Sequence, residues 1–168
     1  MTVRVHKERA PEKLYCKVVT VSDTRTEDTD KSGRLIRKWL EESGHEVSDY
    51  EIVVDEQEAI REAVVSGCSR KEIDAVLLNG GTGIAKRDVT YEVVEDLLEK
   101  EIPGFGELFR MLSYTEDIGS AAILSRAIAG TVFNTVVFSM PGSSGAVKLA
   151  MNKLILPELG HIVAELRK

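Results

Sequence analysis

Apolar residues fall into two spacings along this chain, and the spacings alternate. Tyr15–Val21, Val47–Val54 and Ile73–Leu78 are short apolar runs rich in β-branched residues, which predicts strands. Between and after them, apolar positions recur three and four residues apart. Leu35, Ile36, Trp39 and Leu40 predict a helix that Gly44 closes, and Ile60, Ala63 and Val64 predict a second beginning at Glu56, just after Asp55. Val93, Val94, Leu97 and Leu98 predict a third, ended by Pro103. Phe105, Leu108, Phe109 and Leu112 predict a fourth. The Ala-rich stretch Ile118–Ile128 reads as helical. Val132–Phe133 and Val136–Ser139 read as strands joined by a tight Asn134–Thr135 turn. Pro141–Gly145 then opens a helix carrying Val147, Leu149, Ala150 and Leu154, and Pro157 begins a last one with Leu159, Ile162, Val163 and Leu166.

Strands alternating with helices predict an α/β fold of three α/β/α layers, with a mainly parallel sheet and helices on both faces. Right-handed crossovers gather the strand-to-helix loops at the carboxyl edge of such a sheet. Ser22–Asp30, Asp55, Gly80–Asp88 and Pro141–Gly145 are therefore expected to meet there, and small or acidic residues dominate all four.

The chain's 168 residues suit one domain over 14–168 behind a charged arm at 1–13. A net charge of −6 argues against nucleic acid as a general partner, though a small anion can still be held locally. No apolar segment is long enough to cross a membrane or serve as a secretory signal, so a cytoplasmic location is expected. Cys16 and Cys68 form no CxxC or Cys/His cluster and read as buried thiols. His6, His45 and His161 are scattered, with no pair at helical spacing for a metal.

The chemistry concentrates in Gly80-Gly81-Thr82-Gly83. Three glycines at the end of a strand let an anion approach main-chain N–H groups. The spacing matches neither the dinucleotide fingerprint nor the Walker A loop, which disfavours a nicotinamide-dependent oxidoreductase. Lys86, Arg87 and Asp88 follow at once. Asp88, Thr90 and Asp55 each stand where a helix N-cap would, so capping competes with ligand binding as their role. Arg126 either reaches solvent on its long stem or serves the site.

Gly80-Gly81-Thr82-Gly83-x3-Arg87-Asp88-x-Thr90 resembles the signature loop of the MoaB/Mog family of molybdenum-cofactor biosynthesis proteins, a domain also found in gephyrin and, more distantly, in the MoeA proteins. The resemblance extends through Val21-Ser22-Asp23-Thr24, Val54-Asp55-Glu56, Ile102-Pro103-Gly104-Phe105, Leu124-Ser125-Arg126-Ala127 and Met140-Pro141-Gly142-Ser143. It covers residues 14–167 and is closest to the MoaB branch. It implies a molybdopterin-binding fold and MgATP-dependent adenylylation of molybdopterin, with pyrophosphate released. A pterin-binding carrier without turnover is the alternative. Asp55 and Asp88 match the family's key aspartates and are implied to be catalytic and to place Mg²⁺. Gly80, Gly81, Thr82, Gly83, Ser22, Asp23, Ser125, Arg126, Pro141, Gly142 and Ser143 are implied to bind substrate. A homo-oligomer, trimer or hexamer, and a downstream MoeA-type metal-insertion partner are implied as well.

Overall fold

The computed structural model describes residues 3–4 and 10–168. Most of the expected arm, His6 included, lies outside the described residues.

Six strands form one sheet in the order β2-β1-β3-β6-β5-β4. They are β1 (Tyr15–Val21), β2 (Glu46–Val53), β3 (Ala75–Asn79), β4 (Lys100–Glu101), β5 (Ile128–Val132) and β6 (Thr135–Met140). The pairs β1/β2, β1/β3 and β3/β6 are parallel; β5 runs antiparallel to both β6 and β4. The helices are α1 (Lys31–Glu42), α2 (Gln57–Cys68), α3 (Thr90–Leu97), α4 (Pro103–Glu116), α5 (Ser144–Ala150) and α6 (Leu156–Leu166).

Alternation along the strands sorts the core into two halves. Cys16 and Val18 of β1, Leu77 of β3 and Phe138 of β6 face α1, α4, α5 and α6, where Ile36, Phe109, Val147 and Leu159 cover them. Val19, Leu78 and Val137 face α2 and α3, where Ile60, Val64, Val93 and Val94 cover them. This is the expected three-layer arrangement. Both thiols are buried, and burial first of all raises each to about 12.

Several local expectations are corrected. Ile118–Ile128 is no continuous helix: a single 3₁₀ stretch, Gly119–Leu124, gives way to β5 at Ile128. Alanine content suggested helix, but Ala127 and Ala129 are small because they pack under α4 beside Phe105 and Phe109. Strand β5 starts earlier than Val132, and the hairpin turn is Phe133–Asn134, with Phe133 at a φ of 54°. A positive φ at the first turn residue matches the twist of paired strands. Strand β4 carried no sequence signal because it is two residues long and charged. Helices α5 and α6 are joined by a π-helical turn, Met151–Ile155, so Pro157 lies in the first turn of α6 without starting a separate element. Pro157's missing N–H is tolerated there.

The fold positions the site through one topological fact. After β1 the chain leaves toward α1 on one face; after β3 it leaves toward α3 on the other. The carboxyl ends of these neighbouring strands therefore open a crevice, the usual ligand position in an open α/β sheet.

Candidate functional site

Thr20, Val21 and Ser22 from the end of β1 and Asn79 and Gly80 from the end of β3 line a cavity of about 420 Å³ in that crevice. Gly142, Ser143 and Ser144 close it, together with Arg25, Lys31 and Ser32. It is rich in hydroxyls and cations, as a site for an anionic, hydrogen-bonding molecule requires. A second cavity of about 400 Å³ is lined by Asp55, Lys86, Arg87 and Val89.

The glycine loop contributes Gly80 to the first cavity, and its backbone beyond that residue is bonded through its carbonyls. Gly80 and Gly81 adopt φ of 96° and 66°. A Cβ on Gly81 would collide with Thr90 Oγ1 and lie 2.9 Å from Asp55 Oδ1, so only glycine fits. Gly83 is fixed by Asp88, whose Oδ2 would lie 2.6 Å from an added Cβ. The Gly81 carbonyl accepts the N–H of Thr90 at 3.0 Å. The carbonyls of Thr82 and Gly83 accept from Arg126 at 3.0 and 2.6 Å. In a trans peptide the next N–H points opposite to its carbonyl. The N–H groups of Thr82, Gly83 and Ile84 are therefore turned away from Thr90 and Arg126. Among the described residues, no protein acceptor takes any of them, nor that of Gly81. Successive N–H groups left free in this way are the kind of array that can cradle an anion.

The capping roles considered for Asp55, Asp88 and Thr90 are not taken up. The N-cap of α3 is Val89 and that of α2 is Glu56, neither with a side-chain cap; α2 starts at Gln57, one residue later than expected. Asp88 accepts the N–H of Ala85 at 3.1 Å and so folds the loop tip. Thr90 is fully buried, its hydroxyl unpartnered against Gly81. The Asp55 carboxyl accepts from the Asp23 backbone and borders the second cavity with Arg87. Burial, then Asp23 and Asp88, raise its carboxyl above the usual range. Asp23 instead pairs with Arg87, at 3.0 Å from NH2, and accepts the Asp55 N–H at 3.1 Å. The Arg87 hydrogen bond holds Asp23 below its ordinary value. Among the described residues no cluster of three or more His, Cys, Asp or Glu side chains is placed to hold a metal.

Other expected site residues divide. Ser22 Oγ accepts from the N–H groups of Thr24 and Arg25, at 3.2 and 3.0 Å, and so shapes the β1 loop. Ser143 caps α5 by accepting from Ala146 N–H at 3.2 Å. The Gly142 carbonyl accepts from Ser32 Oγ at 2.5 Å, and Pro141 is half-buried beside it. Ser125 ends the 3₁₀ stretch, and its N–H bonds to Ala122 at 3.0 Å; no hydrogen bond ties it to the glycine loop. Arg126 is partly exposed, lines neither of these cavities and binds the loop through the Thr82 and Gly83 carbonyls.

Sequence reasoning missed the support beneath the site. Asp30, 2% exposed, accepts from Thr20 Oγ1 at 2.6 Å, from Gly33 N–H at 3.0 Å as the cap of α1, and from Tyr50 Oη. Thr20 Oγ1 in turn accepts from Asn79 Nδ2 at 2.9 Å. This chain of bonds links α1 to the residue before Gly80. Asp30 closes the polar Ser22–Asp30 loop in the sequence, and in the structure it stands directly before Lys31, the first residue of α1, where a cap sits.

Known proteins agree with this geometry. The family model described as a "Probable molybdopterin binding domain" matches residues 17–161. The chain is 65% identical to molybdenum cofactor biosynthesis protein B of Bacillus subtilis, over all of this chain and 99% of the relative. It is 66% identical to a protein of that name whose crystal structure superposes with a TM-score of 0.92, over 95% of this chain and 99% of the other. A tungsten cofactor synthesizing protein MoaB from Pyrococcus furiosus is 40% identical with a TM-score of 0.79, over 95% of this chain and 100% of that one. The chain belongs to the MoaB/Mog family of molybdenum cofactor biosynthesis proteins.

Proposed function

We propose that this protein adenylylates molybdopterin, consuming MgATP and releasing pyrophosphate. The observation that carries the reading is the nest at Gly81–Ile84, four N–H groups without a protein acceptor beside the uncapped carboxylates of Asp55 and Asp88. The terminal phosphate of the pterin must attack the α-phosphorus of ATP in line. Both partners are anions, so the enzyme must hold them together and suppress their repulsion. The nest binds phosphate without adding a mobile counter-charge. Lys86 and Arg87 line the second cavity and balance the polyphosphate. The hydroxyl-rich cavity at Ser22, Ser143 and Ser144 suits the pterin's many donors and acceptors. No strong base is required, because a phosphate nucleophile is already ionised near neutral pH.

The donor set fits magnesium. Mg²⁺ takes one or two carboxylates and completes its shell with substrate phosphate and water, so a cluster of three protein ligands is not needed. Asp55 and Asp88 would hold it, and when bound it supplies positive charge to the phosphates. The elevated Asp55 carboxyl is consistent with a site lacking one positive charge.

We also propose a symmetric homo-oligomer, a trimer or hexamer. Leu108, Met111 and Tyr114 of α4, with Ile118, Ile123 and Leu124 after it, are each 46–84% exposed. An apolar strip of that extent is unusual on a monomer. A downstream MoeA-type protein would receive the adenylylated pterin.

The test is incubation with molybdopterin, ATP and Mg²⁺, with detection of adenylylated pterin and pyrophosphate. Product in stoichiometric amount or more is expected. Tight pterin binding without product would replace the enzyme with the carrier. A monomeric mass in light scattering at micromolar concentration would remove the oligomer.

A further inference from the structure

Arg126 is the most heavily committed side chain near the loop. Its Nε donates to the Thr82 carbonyl and its NH2 to the Gly83 carbonyl. Its NH1 pairs with Glu92 Oε1, and NH2 lies 3.3 Å from Glu92 Oε2. The guanidinium also sits over the Tyr91 ring, 5.2 Å from the centroid, and the side chain is 24% exposed. Arginine has five N–H donors, and four of them are directed at protein acceptors, which leaves one hydrogen of NH1.

We propose that Arg126 and Glu92 are a positioning pair that aims the anion nest. By holding two successive carbonyls on one side, Arg126 fixes the peptide planes that carry the N–H groups of Gly83 and Ile84 on the other. Glycine peptides would otherwise flip at little cost, and a flipped plane presents a carbonyl oxygen to the phosphate. Glu92, in the first turn of α3, holds the guanidinium fork in plane with both loop carbonyls. The hydrogen bond from Arg126 is also the main reason the Glu92 carboxyl lies below its ordinary value. The inference rests on the anion-binding reading of the loop and adds the residues that set its geometry.

Electrostatics gives this pair a discriminating test. Glu92→Gln removes a negative charge near an anion site, so if Arg126 gripped the ligand directly, binding would tighten. If Arg126 acts by positioning, binding must weaken, because the fork loses its charged anchor. Inorganic pyrophosphate with Mg²⁺ is titrated calorimetrically into the full-length protein, Glu92→Gln and Arg126→Lys. Affinity is expected to fall roughly threefold to tenfold in Glu92→Gln, and at least about tenfold in Arg126→Lys, since an ammonium cannot span two carbonyls in one plane. Nitrogen-15 relaxation of the Gly83 and Ile84 amides is measured on the same proteins. Order parameters near 0.85 in the parent should drop below about 0.6 in both variants. Unchanged or tighter pyrophosphate binding in Glu92→Gln, with both amides still rigid, overturns the proposal. If the parent binds no pyrophosphate, the anion reading fails, and the two amides still decide whether the pair orders the loop. Should Arg126→Lys fail to fold, Glu92→Gln carries the test alone.

Discussion

The two edges of the sheet carry similar residue types and use them in opposite ways. At the amino edge, polar groups are matched to each other. Asp74 accepts the Tyr15 N–H at 3.0 Å and pairs with Arg167 at 2.8 Å. The Leu14 N–H donates to His45 Nδ1 at 3.2 Å, and Arg70 pairs with Asp49 and Glu72. Nearby, Lys17 is 1% exposed yet donates to the Ala63 carbonyl and Ser66 hydroxyl and lies near Asp49 and Glu51. At the carboxyl edge, four loop N–H groups find no protein acceptor among the described residues, and the Asp55 carboxyl is pushed above its usual range. The amino edge also holds the larger cavity, about 840 Å³ lined by Arg70, Asp74, Phe133 and Arg167. Volume therefore does not locate the chemistry. Uncommitted polar groups are the better guide, because a ligand can take the place of water on N–H and carboxyl groups that the chain itself leaves unpaired.

The sharpest way to break this comparison is Asp88→Asn. The amide oxygen can still accept the Ala85 N–H, and no helix cap is lost, so the fold should be retained. The charge that helps hold Mg²⁺ between two anions is removed. Adenylylation should fall by about 100-fold or more, the scale for losing one preorganised electrostatic contact. Pterin affinity should hold or tighten, since a repelling charge is gone. Turnover and pterin binding are measured on one preparation. Undiminished turnover would remove Asp88 from the reaction.

Asp74→Ala probes the other edge. It removes the partner of a backbone N–H and of a guanidinium at an 8% exposed position. Loss of a largely buried, charge-assisted bond costs about 1.5–3 kcal/mol. The urea midpoint should drop accordingly, while turnover per folded molecule stays at the parent level. A turnover loss matching that of Asp88→Asn would erase the distinction between the edges.

How much of this was legible depended on the range over which each signal acts. Strands β1 and β3 declared themselves because burial on both faces demands a nearly continuous apolar run, interrupted in β1 by Lys17 and Thr20. The glycine loop declared itself because positive φ and close approach both exclude side chains. Long-range partnerships did not. Arg126 lies 34 positions from Glu92 and more than 40 from the carbonyls it holds, so its sequence neighbourhood gave no sign of a clamp. Asp30 looked like one acid among several in a polar loop, yet it is the buried junction of α1, β1 and β2. Strand β5 was obscured because small residues suit both a helix and a strand packed tightly beneath one.

The smallest effect is the most direct test of which carboxylates are committed. Folding raises the Asp55 carboxyl, so its ionised form is less comfortable in the folded protein than in the unfolded chain. The resulting penalty on stability is full above the raised value. It fades as pH falls through that value and is gone below the ordinary 3.8. Glu92 has the opposite sign. Its carboxyl is lowered, so its contribution favours folding above the ordinary 4.5 and is lost as pH falls through the lowered value. Asp55→Asn should therefore be slightly more stable than the parent at pH 7, by no more than about 0.5 kcal/mol, the scale of substitutions away from the core. The advantage should vanish by pH 3. Glu92→Gln should be slightly less stable at pH 7 and converge on the parent in acid. Urea midpoints across this range give both differences. An Asp55→Asn variant that is less stable than the parent at pH 7 would mean that the Asp55 carboxylate is already paired in the folded protein. It would then belong with Asp74 among the matched groups and not with the open ones.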